Sequence, residues 1–259
     1  MKIAFFDSGM GGLSVLHHAM KILPREEFIF FADEDNVPYG TKTPEEVLGF
    51  VDEAFKILIA QEVGAIVVAC NTATSVAVKA MREKYSLPII GMEPALKVAL
   101  DTFPNKKVLV AATAITITGE KIHRLIKNLH AENFAELKAL PRLVEFAERL
   151  EFNSAAVEKY LRDELAACDW KNFSSLVLGC THFNYFKDTL KKILPPHMKI
   201  LDGNAGTVNE LIRRTNLKSE RAEKISSVEF FYSGRRVTDA AELSRLKKFL
   251  RRLDEMYNL

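Results

Sequence analysis

The chain has little of what most specialised sequence classes require. Nine prolines and twelve glycines in 259 residues are too few for a collagen-like or low-complexity chain. Three cysteines cannot all pair within one chain, which excludes a disulfide scaffold. Charge of one sign is barely in excess: 36 Lys plus Arg face 34 Asp plus Glu, a net +2. A dedicated nucleic-acid binder would carry a clear basic surplus, so no nucleic-acid partner is expected. No apolar run approaches the ~18 residues that cross a bilayer, and the longest, Gly64 to Cys70, has the length of a strand. The segment MKIAFFDSG reaches Asp7 after only a few apolar residues, short of a signal-peptide core. The expectation is a chain without membrane or export signal, its thiols reduced in the cytoplasm.

What remains is an ordinary globular composition, with 48% hydrophobic and 27% charged residues, enough for one large domain or two small ones. Short β-branched or aromatic runs alternate with longer helical patterns, the signature of an α/β chain with parallel sheets. Strands are expected at Lys2–Phe6, Phe28–Ala32, Ala65–Ala69, Pro88–Ile90, Lys107–Ala111, Glu136–Ala139, Ser175–Gly179, Lys199–Leu201 and Val228–Tyr232. Helices are expected at about 12–22, 44–62, 74–85, 94–103, 119–131, 153–167, 185–194, 205–215 and 238–256. In the last of these Leu246, Phe249, Leu250 and Leu253 form an apolar stripe, leaving Lys247, Lys248, Arg251 and Arg252 for the solvated face.

One internal similarity organises the chain. AIVVACNTATS (65–75) and SLVLGCTHFNY (175–185) both place a Cys where a buried strand ends and polar residues open a helix, 110 positions apart. KIAFFDSG likewise has a counterpart in KVLVAATAIT. Two related halves follow as an expectation, 1–95 with 209–259 and 96–208. Ligands of open parallel sheets bind beyond the C-terminal strand ends, so both cysteines would face one cleft.

Cys70 and Cys180 are thus the candidate reactive thiols, and a helix N-terminus beside each is expected to lower its pKa. Cys168, at a helix end without polar company, reads as a small hydrophobe. Matched thiols allow three chemistries: a redox pair, metal ligation together with His182, or acid and base on opposite faces of one carbon. Redox dithiols sit closer in sequence, and a metal site would lack an evident fourth ligand. The third arrangement is what inversion of a stereocentre requires. DSGMGGLS (7–14) is a glycine turn able to cradle an anion, with Asp7 as an orienting carboxylate or a capping residue. Its spacing is neither GxGxxG nor a P-loop.

Taken in order, DSGMGGLS, VPYGTK, ACNTATS and GCTHF resemble the glutamate racemases of the aspartate/glutamate racemase superfamily, over essentially the whole chain. The resemblance implies two pseudo-symmetric α/β domains, commonly in a homodimer, with the active site between them. It implies a cofactor-independent, metal-free isomerase that interconverts L- and D-glutamate and supplies D-glutamate for peptidoglycan. Carried over by motif, Cys70 would take the α-proton of D-glutamate and Cys180 that of L-glutamate, with Asp7 beside the first thiol and His182 beside the second. Glu145 aligns with a further acidic residue near the second thiol, and Glu148 or Glu151 are alternatives because PRLVEFAERLEF matches weakly. Ser8, Pro38, Tyr39, Gly40, Asn71, Thr72, Thr113, Thr116 and Thr181 match substrate-holding positions. Asn184 replaces a usual Pro, and Asn36 a common Arg that would form a salt bridge. Other superfamily activities, such as aspartate or hydantoin racemisation or decarboxylation, and a non-catalytic glutamate-binding module are the alternatives.

Overall fold

The computed structural model describes residues 1–92, 95–218 and 227–259. Its strands are β1 (Lys2–Asp7), β2 (Glu27–Ala32), β3 (Ala65–Val68), β4 (Ile89–Gly91), β5 (Lys107–Ala112), β6 (Ala135–Ala139), β7 (Phe173–Leu178), β8 (Lys199–Asp202), β9 (Ser227–Tyr232) and β10 (Arg235–Arg236). Two sheets result, ordered β10-β9-β2-β1-β3-β4 and β6-β5-β7-β8. Every pairing is parallel except that of β9 with β10. The second sheet repeats the order 2-1-3-4 of the first, so β3 and β7, which precede the two cysteines, hold equivalent places. β9 lies parallel to β2, returning the chain after residue 226 to the first sheet.

The helices are α1 (Leu13–Ile22), α2 (Pro44–Ala60), α3 (Asn71–Val76), α4 (Val78–Lys84), α5 (Leu96–Thr102), α6 (Ala114–Thr118), α7 (Glu120–Asn128), α8 (Arg142–Glu148), α9 (Ala155–Leu165), α10 (Lys187–Ile193), α11 (Asn204–Thr215) and α12 (Ala240–Met256). The start of α2 shows how locally such ends are fixed. Pro44 needs no donor at the first position, and Thr43 and Glu46 exchange hydrogen bonds in a capping box. The helix expected over 74–85 is instead α3 and α4, broken at Ala77, and the first residue of that expected over 94–103 lies outside the described residues. α8 falls where no helix was expected.

Alternation along the strands sends side chains to two faces. Ile3 and Phe5 enter one apolar cluster, Ala4 and Phe6 another. The first cluster continues through Leu109, Leu176 and Leu178 of the second sheet and Phe249 of α12, so one core is common to both sheets. Burial of a side chain such as Phe5 contributes about 1.5–3 kcal/mol. α12 corrects one expectation. Arg252 is buried, donating from Nε to the Tyr185 carbonyl at 2.9 Å and pairing with Asp188 at 2.6 Å. It lies seven residues from Arg245 on the same helical face as Leu246, Phe249 and Leu253, and its guanidinium lies over the Phe152 ring at 5.4 Å. Among the described residues no helix is long and apolar enough to cross a membrane.

Candidate active site

The first thiol sits at the end of β3. Cys70 caps α3, its sulfur accepting the Ala73 N–H at 3.4 Å and lying 3.6 Å from Ser8 Oγ. Burial nevertheless dominates: desolvation and the nearby Asp7 carboxylate push the thiol up to about 12, against the smaller help of Ala73 and Ser8. The expected lowering by a helix N-terminus is therefore outweighed, because one N–H dipole does not replace the water that a thiolate loses. The charge of Cys180 also bears on Cys70, so the two thiols are within electrostatic reach of each other.

Asp7 ends β1 and is fully buried. Its Oδ1 accepts the Ser8 hydroxyl at 3.2 Å and the Gly9 N–H at 3.1 Å, while Oδ2 accepts the Thr181 hydroxyl at 2.9 Å. Burial holds this carboxyl above its ordinary range, opposed by the His182 charge and the hydrogen bonds from Gly9 and Thr181. The bond to Thr181 spans the two sheets: Asp7 stands beside the first thiol, and Thr181 follows the second.

Cys180 opens a 3-10 turn, Thr181–Phe186, in which every residue is buried. Its sulfur lies 3.8 Å from His182 Nδ1, and His182 Nε2 meets Glu148 Oε1 at 2.6 Å. Burial opposes the imidazolium, yet the hydrogen bonds to Cys180 and Glu148 and the charges on both prevail, holding His182 well above its usual range. For Glu148 burial is likewise overcome by His182, the Met10 N–H and Arg245, which keep it below the carboxylate range. Asn184, in place of the usual Pro, donates to the Thr181 carbonyl at 3.1 Å and braces the turn.

The carboxylate beside the second thiol is Glu148, and Glu145 is exposed. The periodicity of α8 accounts for the difference. Glu148 stands four residues after Val144 and next to Ala147, on the buried face, whereas Glu145 shares the outer face with Arg142 and Arg149. Glu151 accepts from Ser154 and takes no part.

The glycine turn owes its composition to space. Among the described glycines only Gly234 has positive φ. A Cβ at Gly9 would strike Glu148 Oε1, with Val37 at 2.9 Å. One at Gly11 would strike His182 Nδ1 and Thr181 Oγ1, and one at Gly12 would lie 2.5 Å from Asp7 Cβ. Each missing side chain leaves room for a different polar member of the site.

Of the remaining candidates, Thr72 of α3, Thr113 and Thr116 of α6 form a hydroxyl cluster, with oxygens 3.0 Å (72–113), 3.4 Å (72–116) and 2.9 Å (113–116) apart. Asn71 Nδ2 is buried without a partner. Gly40 lies against Thr113, where a Cβ would approach to 3.0 Å. Tyr39 is buried, and its hydroxyl donates to Asp33 Oδ2 at 2.6 Å. Asn36 donates to both oxygens of Asp33. Pro38, half-buried, opens the 3-10 turn Tyr39–Thr41 and accepts the Thr41 hydroxyl through its carbonyl. Among the described residues no three His, Cys, Asp or Glu side chains are grouped as metal ligands would be. Sequence reasoning missed Glu34 and Arg245, which lie behind Glu148. The seven-residue spacing of Arg245 and Arg252 on an apolar stripe was the available signal.

The sequence profile of the Asp/Glu/Hydantoin racemase family matches residues 14–211. A glutamate racemase of Campylobacter concisus is 51% identical over 258 residues, 99% of this chain and 98% of that one. The crystal structure of a glutamate racemase from Campylobacter jejuni superposes with a TM-score of 0.81 at 25% identity, covering 97% of this chain and 98% of that chain. That of a Francisella tularensis glutamate racemase in complex with D-glutamate gives a TM-score of 0.80 at 28% identity, covering 96% and 93%.

Proposed function

The chain belongs to the Asp/Glu/Hydantoin racemase family, as one of its glutamate racemases, and on that footing we propose that Cys70 and Cys180 are the two bases of proton exchange at the α-carbon of glutamate. The observation that carries this reading is the double partnering of thiols: Cys70 with Ser8 and Asp7 behind it, Cys180 with His182 and Glu148 behind it, joined by the Asp7–Thr181 bond. An unperturbed Cys is only a few per cent thiolate at pH 7, and the α-proton is a weaker acid still. Each productive complex therefore needs one thiolate and one thiol.

From L-glutamate, Cys180 as thiolate removes the α-proton and Cys70 as thiol delivers one to the opposite face. From D-glutamate the roles exchange. His182, cationic beside Cys180, favours the thiolate there and returns a proton after turnover. Asp7 acts differently: its charge disfavours the Cys70 thiolate, and, held toward its protonated form, it exchanges the proton of Cys70 through Ser8 Oγ. Ser8, Asn71, Thr72, Thr181 and the Thr113–Thr116 hydroxyls hold the amino and carboxylate groups, and backbone N–H groups stabilise the charge that develops on the carboxylate. No step in this scheme asks for a cofactor.

Further elements of the reading are a homodimer, a cytoplasmic site of action, supply of D-glutamate for peptidoglycan, and structural halves 1–95 with 209–259 and 96–208. The test is to incubate D-glutamate with the protein in D₂O, following the α-proton by NMR and optical activity by circular dichroism. Loss of both supports the reading. Exchange of aspartate but not glutamate would overturn the substrate, and substantial racemisation by a Cys70→Ser, Cys180→Ser double variant would overturn the two-thiol mechanism.

A further inference from the structure

Three side chains from distant parts of the chain meet behind the second thiol. Arg245 of α12 directs Nη1 to Glu34 Oε2 at 3.0 Å and Nη2 to Glu148 Oε2 at 3.1 Å. The same Nη2 reaches the Glu148 carbonyl at 3.3 Å, and the guanidinium lies over the Phe249 ring at 5.5 Å. Glu242, one turn earlier, approaches to 3.7 Å. Glu34 follows β2, Glu148 ends α8 and Arg245 belongs to the C-terminal helix, so the cluster ties three elements to one point.

The two oxygens of Glu148 divide their work. Oε1 takes His182 Nε2 and the Met10 N–H, and Oε2 takes Arg245. With Oε2 anchored, the carboxylate plane is fixed, and the imidazole it holds is turned so that Nδ1 faces Cys180. Docking of α12 does not depend on this contact, because Arg252, Leu246 and Phe249 hold the helix independently. A planar fork that engages two carboxylates is a task for Arg and not for the point charge of Lys.

We propose that Arg245 is a positioning residue for proton transfer at Cys180, acting through Glu148 and His182. The proposal rests on the two-thiol assignment above. Its signature is directional. Enantiomers are equal in free energy, so any variant must lose kcat/KM equally from both sides, and that loss alone does not say which thiol was touched. The primary deuterium isotope effect does. If transfer at Cys180 is slowed, abstraction from L-[2-²H]glutamate becomes more rate-limiting, whereas abstraction from D-[2-²H]glutamate by Cys70 becomes less so.

Arg245→Met is expected to lower kcat/KM about 10- to 100-fold in both directions. The isotope effect on kcat/KM should rise from L-glutamate and fall toward unity from D-glutamate. Arg245→Lys, which keeps a cation beside Phe249 but loses the fork, should shift both effects in the same senses, less far, and it carries the test if Arg245→Met does not fold. Unchanged kcat/KM, isotope effects that stay as in the unaltered enzyme, or a divergence of opposite sense would each overturn the proposal. Cys180→Ser measured alongside separates the failures. If it is inactive while the Arg245 variants show no divergence, only the role of Arg245 falls. If it racemises glutamate substantially, the thiol assignment falls and this proposal with it.

Discussion

Gly11→Ala is the smallest change that tests whether the two halves of the site are as closely fitted as they look. The added Cβ would land on Thr181 Oγ1 and His182 Nδ1 and lie 2.7 Å from the His182 backbone nitrogen. Non-bonded heavy atoms are comfortable at about 3.5 Å or more, so the turn carrying the second thiol must retreat by roughly 1 Å. Backbone is among the obstructing atoms, so a side-chain rotation does not relieve the clash. Overpacking of this kind costs about 1–3 kcal/mol, which for a chain of this size lowers the unfolding temperature by about 2–12 °C. The catalytic cost is larger in proportion, because a displacement of about 1 Å in a reacting constellation lowers the rate about 100-fold. It should fall on kcat more than on KM. Gly49→Ala supplies the control: it is exposed within α2, has no atom within 4 Å of the added carbon, and should stabilise by about 0.5–1 kcal/mol without altering turnover. Steady-state racemisation followed by circular dichroism, with thermal unfolding of the same samples, reads both. Gly11→Ala with unaltered kcat/KM and unfolding temperature would refute the claim that glycine is there for space.

Glu148→Gln should lower kcat/KM about 10- to 100-fold, since a hydrogen bond to a charged group is worth about 1.5–3 kcal/mol, while Glu145→Gln on the exposed face should leave it unchanged; equal effects would undo the assignment of Glu148. Asp7→Asn should abolish most activity yet raise the unfolding temperature at pH 7. A carboxyl held above its ordinary range in the folded state loses its stabilising contribution as pH rises through that range, and Asn has no such loss. A lower unfolding temperature for Asp7→Asn would contradict this. Cys70, pushed up to about 12, should react with iodoacetamide at a rate rising about tenfold per pH unit from 7 to 10. Residue-resolved mass spectrometry would show it, and a plateau near pH 8 would mean that burial does not govern the thiol.

Much of the scaffold was legible because its signals are local and strong. β1, β3, β5 and β7 are apolar on both faces and short, and the residues that follow β3 and β7 change abruptly to Cys and hydroxyls. β10 was not legible, since Arg235–Arg236 has no alternation and pairs only because the turn at Ser233–Gly234 folds it back on β9. α8 was hidden for a different reason. PRLVEFAERLEF matches poorly as a motif, and the helix within it is only seven residues long, so the period that puts Val144, Ala147 and Glu148 on one face is brief. The thiols, Asp7 and His182 were visible because each sits in a strong local motif. Arg245 was not, because its partners lie 97 and 211 positions away and its one local mark is the seven-residue spacing from Arg252 on the apolar stripe of α12.

The hydroxyl cluster of Thr72, Thr113 and Thr116 bears on a demand peculiar to an enzyme whose substrate and product are mirror images. Charged donors such as Arg and Lys have fixed polarity and favour one arrangement of an anion and an ammonium. A hydroxyl both gives and accepts, and among these three oxygens either partner of each contact can be the donor. Reversing the order of the hydrogens turns an accepting wall into a donating one with no heavy atom displaced. In the proposed site such a wall can greet either hand of the same amino acid without rebuilding itself, so neither enantiomer is trapped by the surface that must release the other.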